Sequence, residues 1–155
     1  MVSHYGRATS EAVRQSVYRA YLDHTEYINN WDLVDISAEH IVGAWLWTRD
    51  RAPLYRLAAS TNLWERRIAM LATFHFVRKN EFGDTLELAE LLLDDREDLI
   101  HKASGWLLRE VGKRDGEALR SFLDRHHKTM PRTMLRYAIE KLPERERKAY
   151  LRGKG

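Results

Sequence analysis

The sequence contains no cysteine, which excludes disulfide frameworks and thiolate sites. Its three prolines, at positions 53, 131 and 143, fall where helices would begin or break. No apolar run approaches the ~20 residues that a membrane span needs, and the segment MVSHYGRATS lacks the apolar core of a signal peptide. We therefore expect a cytoplasmic protein without membrane contact.

The charge is distributed unevenly along the chain. Residues 1–100 contain 11 Lys and Arg against 16 Asp and Glu, whereas residues 101–155 contain 15 against 7. The segment 125–155 is the most basic, with only Glu140, Glu144 and Glu146 as acids. A basic half favours a surface that binds a polyanion. On charge alone, a well-solvated helical surface is an equally good interpretation.

Apolar residues recur at helical spacing almost throughout, and no alternating Val, Ile and Thr pattern indicates a strand. The sequence therefore predicts an all-α protein. The predicted helices cover residues 10–26, 31–47, 53–60, 62–79, 84–94, 97–114, 116–127, 131–142 and 143–152. Four polar residues stand where N-caps belong, namely Ser10, Asn62, Asp84 and Asp115.

A weak internal repeat is visible in three helical segments, LWERRIAML (63–71), GWLLREVGK (105–113) and TMLRYAIEK (133–141). Each mixes apolar residues with an arginine, at irregular separations. This pattern favours degenerate HEAT-like repeats, in which antiparallel helix pairs stack into an α-solenoid. An ordinary irregular helical bundle is the alternative. We treat residues 1–155 as a single domain.

The segment YINNWDLVDISAEHIVGAWLW (27–47) places carboxylates inside an apolar run. Trp31 and Asp35 are four residues apart, so they share one face of a helix. Asp32 lies near the start of the helix, where it favours the positive end of the dipole. Asp35 follows the first turn and is flanked by Val34 and Ile36. It either forms a structural ion pair or has a chemical task.

Two adjacent arginines, Arg66 and Arg67, point about 100° apart on a helix. One is expected to pair internally with a carboxylate such as Glu65 or Asp35, and the other to reach a phosphate. Structural pairing is the simpler interpretation of this motif taken alone.

Trp106 follows two small residues, Ser104 and Gly105, which allow a backbone or a ligand to approach closely. Lys102, Arg109 and Lys113 form a basic stripe on the same helix. A tryptophan beside such a stripe suits a wall for a sugar or base, although a helical tryptophan is more commonly a core residue. No spacing typical of a zinc site, phosphate-binding loop or nucleophile elbow is present. We predict no metal or cofactor.

Taken together, five segments resemble the bacterial DNA alkylation repair glycosylases built from HEAT-like repeats, the AlkD family. They are INNWDLVDISAEHIVG, LYRLAAS, NLWERRIAMLATF, DDREDLIHKASGWLLREVGKRD and MPRTMLRYAIEKL. They fall in order and cover about residues 20–142. The resemblance implies a right-handed α-solenoid with a concave basic surface. It also implies an enzyme that excises N3- or N7-alkylated purines from duplex DNA without a deep pocket for an extruded base.

The resemblance also implies roles for particular residues. The family's aspartate matches Asp35, its two tryptophans match Trp31 and Trp106, and its helical arginine matches Arg67 better than Arg66. The basic residues that we assign to DNA binding are Arg66, Arg67, Lys102, Arg109, Lys113, Arg132 and Arg136.

The chain departs from the family at its N-terminus, where additional helices usually precede the segment that begins at Ser10. We expect part of the DNA surface to be missing. We also expect an uncapped end that exposes Val13, Val17 and Tyr21 and favours self-association. A non-catalytic DNA-binding relative and a helical-repeat scaffold for protein partners are the alternatives to a glycosylase. The basic C-terminal half argues against the scaffold.

Overall fold

A computed structural model describes residues 1–7 and 10–153, except for the side chains of Trp31 and Ile36. Across these residues every regular element is helical, which confirms the all-α prediction. The α-helices are α1 (Val2–Arg7), α2 (Glu11–Asp23), α3 (Trp31–Ala38), α4 (Ala44–Leu46), α5 (Ala52–Ala58), α6 (Leu63–Ala72), α7 (Phe74–Val77), α8 (Gly83–Leu91), α9 (Asp98–Arg114), α10 (Gly116–His126), α11 (Arg132–Ile139) and α12 (Glu144–Leu151). A 3₁₀ turn (Thr25–Tyr27) follows α2, and a π turn (Glu39–Gly43) links α3 to α4. In the described part of the chain, none of the helices is both long and apolar enough for a membrane span.

The chain forms two compact units, Met1–Lys79 and Asn80–Gly155. We call them the N-terminal unit and the C-terminal unit. A single HEAT-like-repeat domain and a right-handed solenoid remain predictions.

In the N-terminal unit, α6 packs against α3, α5 and the π turn. The buried residues of α6 include Ile68, Ala69 and Met70, which make no contact with solvent. Apolar burial contributes about 25 cal/mol for each Å² removed from water, so these residues stabilise the packing of α6 in this unit. Arg67 lies on the same helix and is also buried.

The predicted helix 31–47 is wrong in one respect, because it contains a π turn. The Ala44 N–H donates to the carbonyl of Glu39, five residues earlier, instead of four. Gly43 lies at the end of this turn, where a Cβ atom would stand 2.2 Å from the Ala72 carbonyl oxygen. The absence of a side chain at Gly43 therefore allows the helix to approach α6 closely.

The predicted helix 62–79 is also interrupted, between α6 and α7. At Thr73 the buried hydroxyl donates to the Met70 carbonyl at 2.6 Å. This bond satisfies a backbone group within the tightened turn. The apolar residues on either side of the interruption, Leu71, Ala72, Phe76 and Val77, are all buried.

In the C-terminal unit, α9 is the central helix and packs against α8, α10 and most extensively α11. At Gly105 a Cβ atom would lie 2.6 Å from the Met134 carbonyl oxygen. Of the two roles that we expected for the small residues beside Trp106, the close approach of another backbone is therefore the one observed.

Helix starts are predicted well where a side chain caps the backbone. Asn62 accepts from the Trp64 N–H at 2.9 Å, and Asp115 accepts from the Ala118 N–H at 3.1 Å. Ser10 occupies an N-cap position without a side-chain bond. The prediction for Asp84 is wrong, because α8 already begins at Gly83 and Phe82 is its N-cap. Helix α1 was not predicted.

The expected exposure of the N-terminal apolar face is only partly correct. Val13 is exposed, but Val17 and Tyr21 are buried within the N-terminal unit. Helix α2 packs against α1, α4 and the π turn, and its Tyr21 hydroxyl accepts a hydrogen bond from Ser37. Self-association through this end remains a prediction.

Candidate functional site

Asp35 lies on α3, just past the middle of the helix. The start of α3 is fixed by Asn30, whose side-chain oxygen accepts from the Leu33 N–H at 3.1 Å. Asparagine is one of the residue types preferred at this position. Asp32 is exposed in the first turn, where its charge favours the helix dipole. Asp35 is thus carried by a helix whose beginning is set by a side-chain cap.

Two nitrogens on one edge of the Arg67 guanidinium hold the Asp35 carboxylate. Arg67 Nε donates to Oδ1 at 3.1 Å, and Nη2 donates to Oδ2 at 3.2 Å. This two-point geometry fixes the plane of the carboxylate as well as its position. The Arg67 side chain is only 7% exposed, whereas that of Asp35 is 23% exposed. The pair therefore has a buried cationic side and an anionic side that water or a ligand can reach.

Burial and a neighbouring negative charge disfavour the ionised form of Asp35. Burial raises the pKa of the Asp35 carboxyl above its ordinary value, and the nearby charge of Asp32 acts in the same direction. The Arg67 guanidinium opposes this rise through its charge and its hydrogen bonds. Arg67 is therefore the group that keeps an otherwise disfavoured carboxylate in its ionised form.

Trp31 begins α3, one helical turn before Asp35, but its side chain lies outside the described residues.

One turn after Leu33, the Ser37 hydroxyl donates to the Tyr21 hydroxyl at 2.7 Å. Burial raises the pKa of Tyr21 to about 12, and the Asp35 charge adds to this rise. Tyr21 and Ser37 are neighbours of the site that the sequence analysis did not identify, because a tyrosine on an apolar stripe resembles any core residue.

The two adjacent arginines have different partners. Arg66 donates from Nη1 to the carbonyl oxygens of Ser60 and Thr61, at 3.0 and 3.1 Å. These bonds tie Arg66 to the loop that precedes α6. Arg67 pairs with Asp35, as we expected for one of the two arginines. Contact of either arginine with DNA remains a prediction.

In the C-terminal unit, Trp106 lies half-buried on α9, between buried Gly105 and buried Leu107. The basic stripe on this helix consists of cations that already have acidic partners. Lys102 pairs with Asp98 at 3.1 Å, and Lys113 pairs with Glu110 at 2.9 Å. The other basic residues that we assigned to DNA binding in this unit are Arg109, which pairs with Glu140, Arg132, which donates to the Leu151 carbonyl at 2.9 Å, and Arg136, which is exposed.

The Lys102–Asp98 pair is exposed on both sides, and pairs of this kind contribute about 0–1 kcal/mol each to stability. A phosphate can therefore replace the acidic partner of such a cation with little loss of stability.

The described residues contain no group of three or more His, Asp and Glu side chains that would hold a metal ion. A protein-family model described as DNA alkylation repair enzyme matches residues 1–142 of the chain. Comparison with curated proteins finds no match.

Proposed function

Because the chain belongs to the DNA alkylation repair enzyme family, we propose that it is a DNA glycosylase that releases positively charged N3- and N7-alkylpurines from duplex DNA. The observation that carries this proposal is the Asp35 carboxylate, which is partly exposed and is fixed in two directions by a buried arginine. A purely structural ion pair can be fully buried, whereas a carboxylate that acts on a cationic substrate must be accessible to that substrate.

The chemistry of the substrate suits a single carboxylate. An N3- or N7-alkylated purine already carries positive charge, so it leaves the sugar without prior protonation and no general acid is needed. The remaining task is to stabilise the oxocarbenium-like sugar and to orient the attacking water. Asp35 would perform both tasks, and Arg67 would keep it ionised and correctly oriented. Removal of one such electrostatic group typically lowers the rate about 10²–10³-fold.

The other assigned residues have supporting roles in this proposal. Trp31 and Trp106 are retained from the family resemblance as aromatic walls, whose faces attract developing positive charge. The basic residues of the C-terminal unit would exchange their carboxylate partners for backbone phosphates, which makes binding dependent on salt. Contact through the backbone and sugar, without deep extrusion of the base, distinguishes this strategy from that of most enzymes that act on bases.

The test is release of 7-methylguanine from methylated duplex DNA under single-turnover conditions. We expect Asp35→Asn to lower the rate about 10²–10³-fold, and Trp106→Ala to lower it less. Asp32→Asn is the matched control, because it removes the same charge from an exposed position on the same helix. Circular dichroism establishes that each variant is folded.

Three outcomes would contradict the proposal. Equal rates for Asp35→Asn and the wild type would show that the carboxylate has no catalytic role. Salt-dependent binding of duplex DNA by a wild-type protein that releases no base would indicate a non-catalytic relative. Failure to bind DNA at all would favour a scaffold for protein partners.

A further inference from the structure

A second cluster of basic and aromatic side chains lies in the N-terminal unit and includes none of the residues assigned above. We call it the cationic aromatic patch, and it consists of Trp47, Arg51, His75, Phe76 and Lys79. Its three rings are in mutual contact. The Trp47 ring centroid lies 5.9 Å from that of His75 and 5.8 Å from that of Phe76, and the His75 and Phe76 centroids are 6.3 Å apart. Phe76 is fully buried, whereas Trp47 and His75 are partly exposed.

Two cations stand against these rings. The Arg51 guanidinium carbon lies 3.9 Å from the centroid of Phe76, and its Nη2 donates to the Trp47 carbonyl oxygen at 2.8 Å. Lys79 is exposed, and its Nζ lies 5.4 Å from the Trp47 ring. A cation over an aromatic face is attracted by the negative charge of the ring face. These contacts hold the two charges in defined positions around His75.

The charges that act on His75 are all of one sign. Its pKa is lowered to about 4, first by burial and then by Lys79, His40, Arg51 and Arg78. Arg78 is paired with Glu39, but its side chain remains 53% exposed. His75 is therefore neutral near pH 7, and its ring presents one N–H donor and one acceptor. An anion placed beside it would reduce the repulsion among the surrounding cations.

We propose that the cationic aromatic patch binds a backbone phosphate of duplex DNA, with Arg51 and Lys79 supplying positive charge and His75 a hydrogen bond. Duplex DNA carries one negative charge for every ~1.7 Å of helix axis, a density that suits several cations grouped on one surface. Arginine and lysine are also the principal phosphate ligands of proteins. The inference rests on the proposed function only in taking DNA as the source of the phosphate.

The first test is the salt dependence of binding to an undamaged duplex, so that the result does not depend on base release. Each phosphate contact adds about 0.9 to the slope of log K against log salt. For Arg51→Gln/Lys79→Gln we expect weaker binding and a slope smaller by about 0.9, the value for one lost phosphate contact. The control, Arg7→Gln/Arg19→Gln, makes the same change of charge at two exposed positions of the same unit.

Because Arg51 also packs on Phe76, its replacement risks unfolding, and Lys79→Glu provides an independent variant at an exposed position. We expect Lys79→Glu to weaken binding and to lower the slope, because it places a negative charge beside the phosphate. An unchanged slope in both the double variant and Lys79→Glu would overturn the inference. So would an equal loss in the control variant, which would show a general effect of charge.

The second test follows the His75 ring by NMR, with His75→Gln to assign the signal. Addition of undamaged duplex should raise the pKa of His75, because a bound phosphate stabilises the protonated ring. Inorganic phosphate at matched ionic strength is the second probe. A shift with duplex alone, or with both probes, supports the inference. A shift with inorganic phosphate alone, or with neither, overturns it.

Discussion

Replacement of Arg67 by methionine would remove the guanidinium while keeping a side chain of similar length. The Asp35 carboxylate would lose both of its hydrogen bonds from Arg67, at 3.1 and 3.2 Å. Loss of one partner from a fully buried ion pair costs about 3–5 kcal/mol, because the other charge is left uncompensated. Water reaches the 23% of the Asp35 side chain that is exposed, so we expect a loss of about 2–3 kcal/mol near neutral pH.

The size of this loss should depend on pH, and its sign follows from the pKa of Asp35. Burial already raises that pKa in the folded protein, and Arg67 is the group that opposes the rise. In Arg67→Met the folded-state pKa of Asp35 therefore moves further above its unfolded value. The penalty is complete at pH values above the folded-state pKa, where Asp35 is ionised. It declines as the pH falls through that value, by about 1.4 kcal/mol for each unit of added shift.

The assay is urea unfolding followed by circular dichroism, at about pH 7 and about pH 4, for wild type and variant. Arg66→Met is the matched control, because it removes the adjacent guanidinium of the same helix and leaves both hydrogen bonds from Arg67 to Asp35 in place. Its loss of unfolding free energy should change less between the two pH values than that of Arg67→Met. If the loss in Arg67→Met changed with pH no more than that of Arg66→Met, Arg67 would not be the group that maintains the Asp35 charge.

Two further predictions concern the pH profile and the packing. Base release requires ionised Asp35, so the single-turnover rate should fall as the pH drops through the raised pKa of this carboxyl. A rate that falls only at pH values below 3.8, the ordinary pKa of an aspartate, would contradict this prediction. Gly43→Ala should lower the unfolding free energy by about 1–3 kcal/mol or more, since the new Cβ would meet the Ala72 carbonyl oxygen at 2.2 Å. Gly83→Ala, with nothing within 4 Å of the added atom, should leave it nearly unchanged, and equal losses in urea unfolding would refute the packing argument.

Helical periodicity predicted where most of the chain is helical, because burying an apolar stripe is the dominant local requirement. It did not predict the π turn or the interruption at Thr73. The π turn adjoins the close approach of Gly43 to Ala72 on α6, a tertiary contact that the local sequence pattern does not encode. The cap at Asn62 was predictable because its bond is local, whereas Asp84 shows that a suitable residue type does not guarantee a cap.

The site was predictable to a lesser degree. The sequence limited the partners of one arginine to a few carboxylates, and the family resemblance favoured Arg67. The pairing with Asp35 joins residues 32 positions apart, a separation that no local rule determines. The cationic aromatic patch was missed for a related reason. Its members come from α7 and the segments that follow α4 and α7, and each one alone looks like an ordinary core or surface residue.

The π turn also has a consequence for the angular phase of the helix that carries Asp35. On an unbroken α-helix, positions 35 and 47 would point about 120° apart, at about 100° for each residue. A π turn accommodates one additional residue within a single turn. Each residue after the π turn is therefore rotated back about the helix axis by about 100°, compared with its position on an unbroken α-helix. As a result, positions 35 and 47 point within about 20° of each other. One extra residue thus turns the proposed catalytic carboxylate and the proposed phosphate site toward the same side of the protein. Deletion of a residue between Glu39 and Gly43 would leave that alignment intact while straightening the helix.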